Sequence, residues 1–78
     1  MSRILLLGPA REAAGVRDDV IDESTVAGVL AVAVQRYGRE FDAVLKVSKV
    51  WVNGEPATPH QPVGPHDEVA VLPPVSGG

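Results

Sequence analysis

One segment of this chain has both the length and the period of a helix, and a lone helix dictates what the remaining residues must do. In "STVAGVLAVAVQRYG", apolar residues fall at Val26, Val29, Leu30, Ala33, Val34 and Tyr37, the spacing of a single helical face. Thr25 or Ser24 stands where a side-chain oxygen caps the first turn, and Gly38 stands where a left-handed residue closes the last. Ala31 and Val32 fall on the opposite face. The valines at 26, 29, 32 and 34 lower intrinsic helix propensity, so packing against other elements must supply much of the stability. One helix covers one face of a small sheet and leaves the other open.

The rest of the chain supplies the strands. "RILLLG" (Arg3 to Gly8) is a short apolar run closed by Gly8-Pro9, the length of a buried strand. "PAREAAG" reads as a loop or a single helical turn. "VRDDVID" mixes Val16, Val20 and Ile21 with charges and suits a sheet edge, where charge discourages pairing with another chain. "SKVWVNGE" alternates Val50 and Val52 against Trp51 and then turns at Asn53-Gly54, a strand-and-turn signal. "PATPHQPVGPH" holds four prolines, which exclude a central strand and indicate loop with at most a short edge segment. "DEVAVL" is the last strand. The expected class is α+β, a mixed sheet in the order β, β, α, β, loop, β. The first and last strands are the most apolar, which places them side by side in the middle. With Ile4 and Leu6 turned one way, Leu5 and Leu7 face the other, so the uncovered face also carries large apolar side chains, and an apolar patch there is a candidate partner surface.

Composition removes several function classes. The chain has 78 residues, enough for one domain. Its formal net charge of −3 has the wrong sign for a nucleic-acid binder, and its Lys and Arg residues are scattered, so no polybasic membrane patch is expected. There is no cysteine, hence no disulfide, thiol nucleophile or cysteine zinc site. "MSRILLLG" is too short an apolar run for a signal peptide, and no stretch nears the roughly 20 apolar residues of a membrane span; the expectation is a cytoplasmic protein. No catalytic set emerges. The serines at 2, 24, 48 and 76 have no evident histidine partner. His60 and His66 lie six apart in the proline-rich loop without companion metal ligands, so no metal site is expected. Asp18, Asp19, Asp22 and Glu23 read as a solvated strand edge and helix approach.

One unusual group remains, the α-carboxyl of Gly78. It is ionised at neutral pH and is a poor electrophile, so it reacts only once another enzyme activates it, for instance as an acyl-adenylate. The ending "LPPVSGG" suits that use. Pro73 and Pro74 fix φ and hold their preceding residues out of the helical region, favouring an extended exit. Gly77 and Gly78 lack the Cβ that clashes in a narrow channel. The expected division is a folded part, residues 1–72, and an extended tail, residues 73–78, able to reach about 20 Å at about 3.3 Å per residue.

Taken together, Ala10-Arg11-Glu12 after the first strand, Asn53-Gly54-Glu55, and Asp67-Glu68-Val69 leading to Pro73-Pro74-Val75-Ser76-Gly77-Gly78 resemble the small subunit of molybdopterin synthase. That family consists of ubiquitin-like sulfur carriers of the MoaD/ThiS type with the β-grasp fold, and the resemblance spans essentially the whole chain. It implies that Gly78 is adenylated and then thiocarboxylated, with Gly77 beside it in the reactive end. It further implies that Leu7, Leu72, Pro73, Pro74, Val75 and Ser76 meet the partners. Those partners would be an E1-like adenylyltransferase that uses ATP, a sulfur donor, and the synthase large subunit in a heterotetramer. The chain would be non-catalytic alone, hold no cofactor stably, and give its sulfur to a pyranopterin precursor of molybdopterin. Two departures bear on partner identity. The turn before the last strand, Gly64-Pro65-His66-Asp67-Glu68, is longer and stiffer than the family's Gly-Asp-Glu, and Leu7 and Leu72 stand where relatives often carry aromatic residues. Alternatives of related chemistry are a carrier for cysteine, thiamine-thiazole or tRNA thiolation, or a ubiquitin-like protein modifier; an interaction module with an inert tail is a further class.

Overall fold

The structure, a computed structural model, describes residues 1–74. Five strands form one sheet: β1 (Ser2–Leu6), β2 (Asp18–Ile21), β3 (Lys49–Val52), β4 (Glu55–Pro56) and β5 (Glu68–Leu72), in the spatial order β2-β1-β5-β3-β4. The first and last strands lie side by side, parallel, with Ile4 opposite Val69 and Leu6 opposite Val71. The other pairings are antiparallel. The charged segment forms an edge as expected, and a proline sits in the two-residue strand at the other edge, where its missing N–H costs no ladder bond. This is the β-grasp arrangement that the resemblance implies, a mixed sheet with its helices gathered on one core.

The helical layer is larger than the sequence reading allowed. It contains α1 (Pro9–Ala14), α2 (Val26–Tyr37) and α3 (Arg39–Lys46). "PAREAA" is a helix of six residues started by Pro9 in its first turn and buried through Ala10. α2 is capped as expected, with Thr25 Oγ1 accepting from the Gly28 N–H at 3.0 Å. Its other early N–H groups are taken by the proline-rich loop: Val26 donates to the Gln61 carbonyl at 3.0 Å and Ala27 to the Pro59 carbonyl at 2.9 Å. That loop therefore completes the cap of α2, taking the two N–H groups that the Thr25 side chain does not reach.

Gly38 does not take the left-handed helical conformation expected of it. Its φ of 94° and ψ of −166° form a sharp joint, and the chain re-enters a helix at Arg39. α3 carries the largest fully buried side chain, Phe41, whose ring meets that of Tyr37 edge-on at a centroid distance of 5.2 Å. Val32, assigned above to the outer face of α2, packs partly buried against the core, whereas Ala31 is exposed. The added helix provides apolar neighbours around more of α2 than one sheet face could. The core itself is continuous: Ile4, Leu6, Ile21, Val52, Val69 and Val71 from the sheet meet Ala10, Val26, Val29, Ala33 and Phe41 from the helices.

Candidate functional site

Strand alternation separates the sheet into two faces. With Ile4, Leu6, Val69, Val71 and Val52 in the core, the intervening residues Arg3, Leu5, Ala70, Leu72, Lys49 and Trp51 look the other way. Register brings them together: Leu5 lies opposite Ala70, Ala70 opposite Trp51, and Leu72 opposite Lys49. The uncovered face is therefore apolar through its middle, as expected of a first strand apolar on both sides, and the burial of Ile4 and Leu6 gives that face to Leu5. Leu7, just past the paired stretch of β1, is 38% exposed while its neighbour Leu6 is fully buried.

At the end of this face, where β5 leaves the sheet, Val47, Lys49, Trp51, Leu72, Pro73 and Pro74 line an open groove of about 390 Å³. Three of the residues named from the sequence, Leu72, Pro73 and Pro74, thus share one surface. Leu7 is exposed but does not line the groove. Val75, Ser76, Gly77 and Gly78 lie outside the described residues. The sequence reading missed Trp51, Lys49 and Val47. Trp51 was recoverable, because a residue alternating against two core valines must point to the open face. Val47 carried no such signal: it is 65% exposed because α3 ends at Lys46 and the chain turns there into β3.

The start of β5 is pinned by a polar cluster that sets where its end arrives. Asn53 Nδ2 donates to Asp67 Oδ1 at 2.8 Å, the Glu68 N–H donates to Asn53 Oδ1 at 3.0 Å, and the Gly64 N–H donates to Asp67 Oδ2 at 2.7 Å. Asn53 holds φ at 51° and Gly54 at 82°, the left-handed pair a two-residue hairpin turn requires. The longer Gly64-to-Glu68 segment closes as a turn through Asp67 N–H to Gly64 carbonyl, 3.1 Å. The Gly64 N–H holds the Asp67 carboxyl below its usual range, helped by the Asn53 amide and the charge of His66.

Nothing on these surfaces forms a metal centre: among the described residues no group of three or more His, Asp or Glu side chains converges. No helix among them is long and apolar enough to cross a membrane. What the face offers is apolar area, the cationic side chains of Arg3 and Lys49, and a strand end that leads into the tail.

Comparison with known proteins adds the family. The small archaeal modifier protein SAMP1 from Haloferax volcanii superposes with a TM-score of 0.83 at 28% identity, covering 99% of this chain and 98% of that one. The CysO-containing BexX/CysO complex of Amycolatopsis orientalis supplies a chain with a TM-score of 0.83 at 18% identity, with 100% of both chains covered. The complex of subunits 1 and 2 of the molybdopterin-converting factor from Helicobacter pylori supplies another at 0.75 and 20% identity, covering 99% and 97%. No curated protein matches in sequence. The model of the ThiS family matches residues 4–78, nearly the whole folded sheet together with the Gly-Gly end, and this chain accordingly belongs to the ThiS family of ubiquitin-like sulfur carriers.

Proposed function

We propose that this chain carries sulfur as a thiocarboxylate on Gly78 and delivers it to a pyranopterin precursor in molybdopterin formation. The observation that carries the reading is the course of β5. This central strand is anchored at its start by Asp67 and Asn53, ends at Leu72 beside the apolar groove, and passes into Pro73 and Pro74. Pro73 and Pro74 fix φ where the chain leaves this central strand, so the exit beside the groove is stiff. The sequence Pro73-Pro74-Val75-Ser76-Gly77-Gly78 is the part of the resemblance that points to molybdopterin rather than to the other acceptors.

In this reading the Gly78 carboxylate attacks the α-phosphorus of ATP on an E1-like adenylyltransferase, and pyrophosphate leaves. A sulfide-level donor then displaces AMP to give the thiocarboxylate. The open face, with Leu7, Leu72 and the groove residues, docks first on the activating enzyme and then on a synthase large subunit, while Val75 and Ser76 accompany the glycines into the active site. The Helicobacter pylori structure, a complex of subunits 1 and 2 of a molybdopterin-converting factor, supports such a pairing. The cytoplasm, where ATP and sulfide donors are at hand, is the proposed compartment.

Intact-mass measurement after incubation with ATP, an E1-like enzyme and a sulfur donor, followed by a thiol-alkylating reagent, tests this directly. The chain contains no cysteine, so ATP-dependent alkylation reports a new sulfur group, and fragmentation locates it. Label on Gly78, followed by molybdopterin on addition of a large subunit and precursor, is the expected result. Unimpaired molybdopterin formation by a chain lacking Gly78 would sink the proposal. A second reading, a protein modifier joined through Gly78 to lysines of other proteins, is favoured by the 28% identity to SAMP1, which its name describes as a modifier. It predicts high-mass conjugates that vanish when Gly77 and Gly78 are removed.

A further inference from the structure

β2 is an edge strand of four residues, and among the described residues one side of its backbone has no neighbouring strand. Which groups face outward follows from the ladder to β1. The Leu6 N–H donates to the Arg17 carbonyl at 2.9 Å, and the register runs through Leu5 and Asp18, Ile4 and Asp19, Arg3 and Val20. In an antiparallel pair, bonded and non-bonded positions alternate. Asp19, like Arg17, therefore directs its backbone groups to β1, whereas Asp18 and Val20 direct theirs outward.

Both outward groups of Val20 are occupied by side chains of this same chain. Its N–H donates to Asp19 Oδ1 at 2.8 Å, and its carbonyl accepts from the Arg36 guanidinium at 2.9 Å. The same Arg36 nitrogen donates to Asp19 Oδ2 at 3.1 Å, and the Tyr37 hydroxyl donates to that oxygen at 2.7 Å. Arg36 and Tyr37 come from the last turn of α2, so the clip is held in place by the helix. Without it the edge would be a template for pairing: Val16 and Val20 are 40% and 44% exposed beside it, and an unpaired strand edge recruits strands.

We infer that Asp19, Arg36 and Tyr37 form a clip that closes the β2 edge to strand addition, and that opening it lets β2 pair antiparallel with β2 of a second copy of this chain. In the register that sets Asp18 against Val20 of the other copy, the outward N–H and carbonyl groups of both residues are exchanged between the strands. The same register sets the two Asp19 side chains opposite each other, and like charges opposed across a strand pair repel. Asp19 thus closes the edge twice, by occupying the Val20 N–H and by repelling its own copy. The inference is independent of the sulfur-carrier reading. It concerns an edge remote in the sheet order from the β5 and β3 residues of the groove, with β1 between.

The test is the mass in solution, by light scattering on a sizing column at rising concentration, of the wild type and of the Asp19→Ala/Arg36→Ala double variant. The wild type is expected at the mass of one chain throughout, and the double variant is expected to move toward twice that mass. Adding Val20→Pro should return it to one chain, because this removes only an outward N–H and leaves the ladder to β1 intact. A folded double variant that stays at one chain mass overturns the inference. So does a dimer that persists with Val20→Pro, or a wild type that already pairs through β2. Should the double variant fail to fold, hydrogen exchange on the wild type decides. After correction for intrinsic rates, the Val20 amide should exchange roughly tenfold more slowly than the outward Asp18 amide, the equivalent of one net hydrogen bond. Equal corrected rates overturn the clip.

Discussion

Replacing Phe41 asks whether α3 belongs to the folding core or merely rests on it. Phe41 is fully buried, the largest such side chain among the described residues, and its ring meets Tyr37 edge-on at 5.2 Å and 78°. Truncating a buried phenylalanine to alanine removes its transfer energy and leaves a cavity, together about 3–5 kcal/mol. The edge-on pair accounts for about 0.5–1.5 kcal/mol beyond area. At roughly 0.05–0.15 kcal/mol per residue, a domain of this size has a total stability of about 4–12 kcal/mol. Phe41→Ala should therefore remove from about a quarter to all of that stability, and Phe41→Leu, which keeps most of the volume but loses the ring pair, should cost about 1–2 kcal/mol. Urea titrations followed by Trp51 fluorescence measure both, with the slope unchanged if only stability moves. For a domain of this length the leucine variant should melt about 4–15 °C lower. Because Phe41 and the groove lie on opposite sides of the sheet, the folded leucine variant should still be activated at Gly78 at the wild-type rate. A cost below about 1 kcal/mol for Phe41→Ala would refute the placement of α3 in the core.

Asp19 gives a pH signature with a definite sign. Its carboxyl is held below the usual range, first by the Tyr37 hydroxyl, then by the Val20 N–H and by Arg36. A carboxylate whose folded pKa is depressed contributes stability above its unfolded pKa, about 3.9, and that contribution is lost as pH falls through the lower folded value. Tyr37→Phe should destabilise by about 1 kcal/mol at neutral pH and by less in acid, with the Asp19 carbon shift titrating at higher pH than in the wild type; an unmoved titration would break the link. Asn53→Ala removes two side-chain hydrogen bonds to the β5 start and places a Cβ-bearing residue without a local hydrogen-bonding group at φ 51°. It should cost about 2–3 kcal/mol in urea midpoint analysis, with Asn53→Gly costing less because glycine accepts that φ freely.

Some of this protein was fixed by local pattern alone. The alternation of "KVWV" and "EVAVL", the face of α2 from Val26 to Tyr37, the Thr25 cap and the Asn53-Gly54 turn all follow from side-chain period and turn chemistry. These act within a few residues and are visible in sequence. The family, too, is written in the Gly-Gly end and the turn motifs. What stayed hidden depends on residues far apart in sequence. Phe41, Val44 and Leu45 have helical spacing, but Gly38 reads as an end until the packing of Phe41 against Tyr37 shows that the chain resumes its helix. The proline-rich loop reads as a mere connection until its Pro59 and Gln61 carbonyls meet the N–H groups of α2. Trp51, Lys49 and Val47 join Leu72, Pro73 and Pro74 only because β3 and β5 pair in one register. Likewise Asp19, Arg36 and Tyr37 form a clip only once α2 lies over β2. Local period decides which face a residue presents; only the closing of long loops, stabilised by burial of the shared core, decides what that face meets.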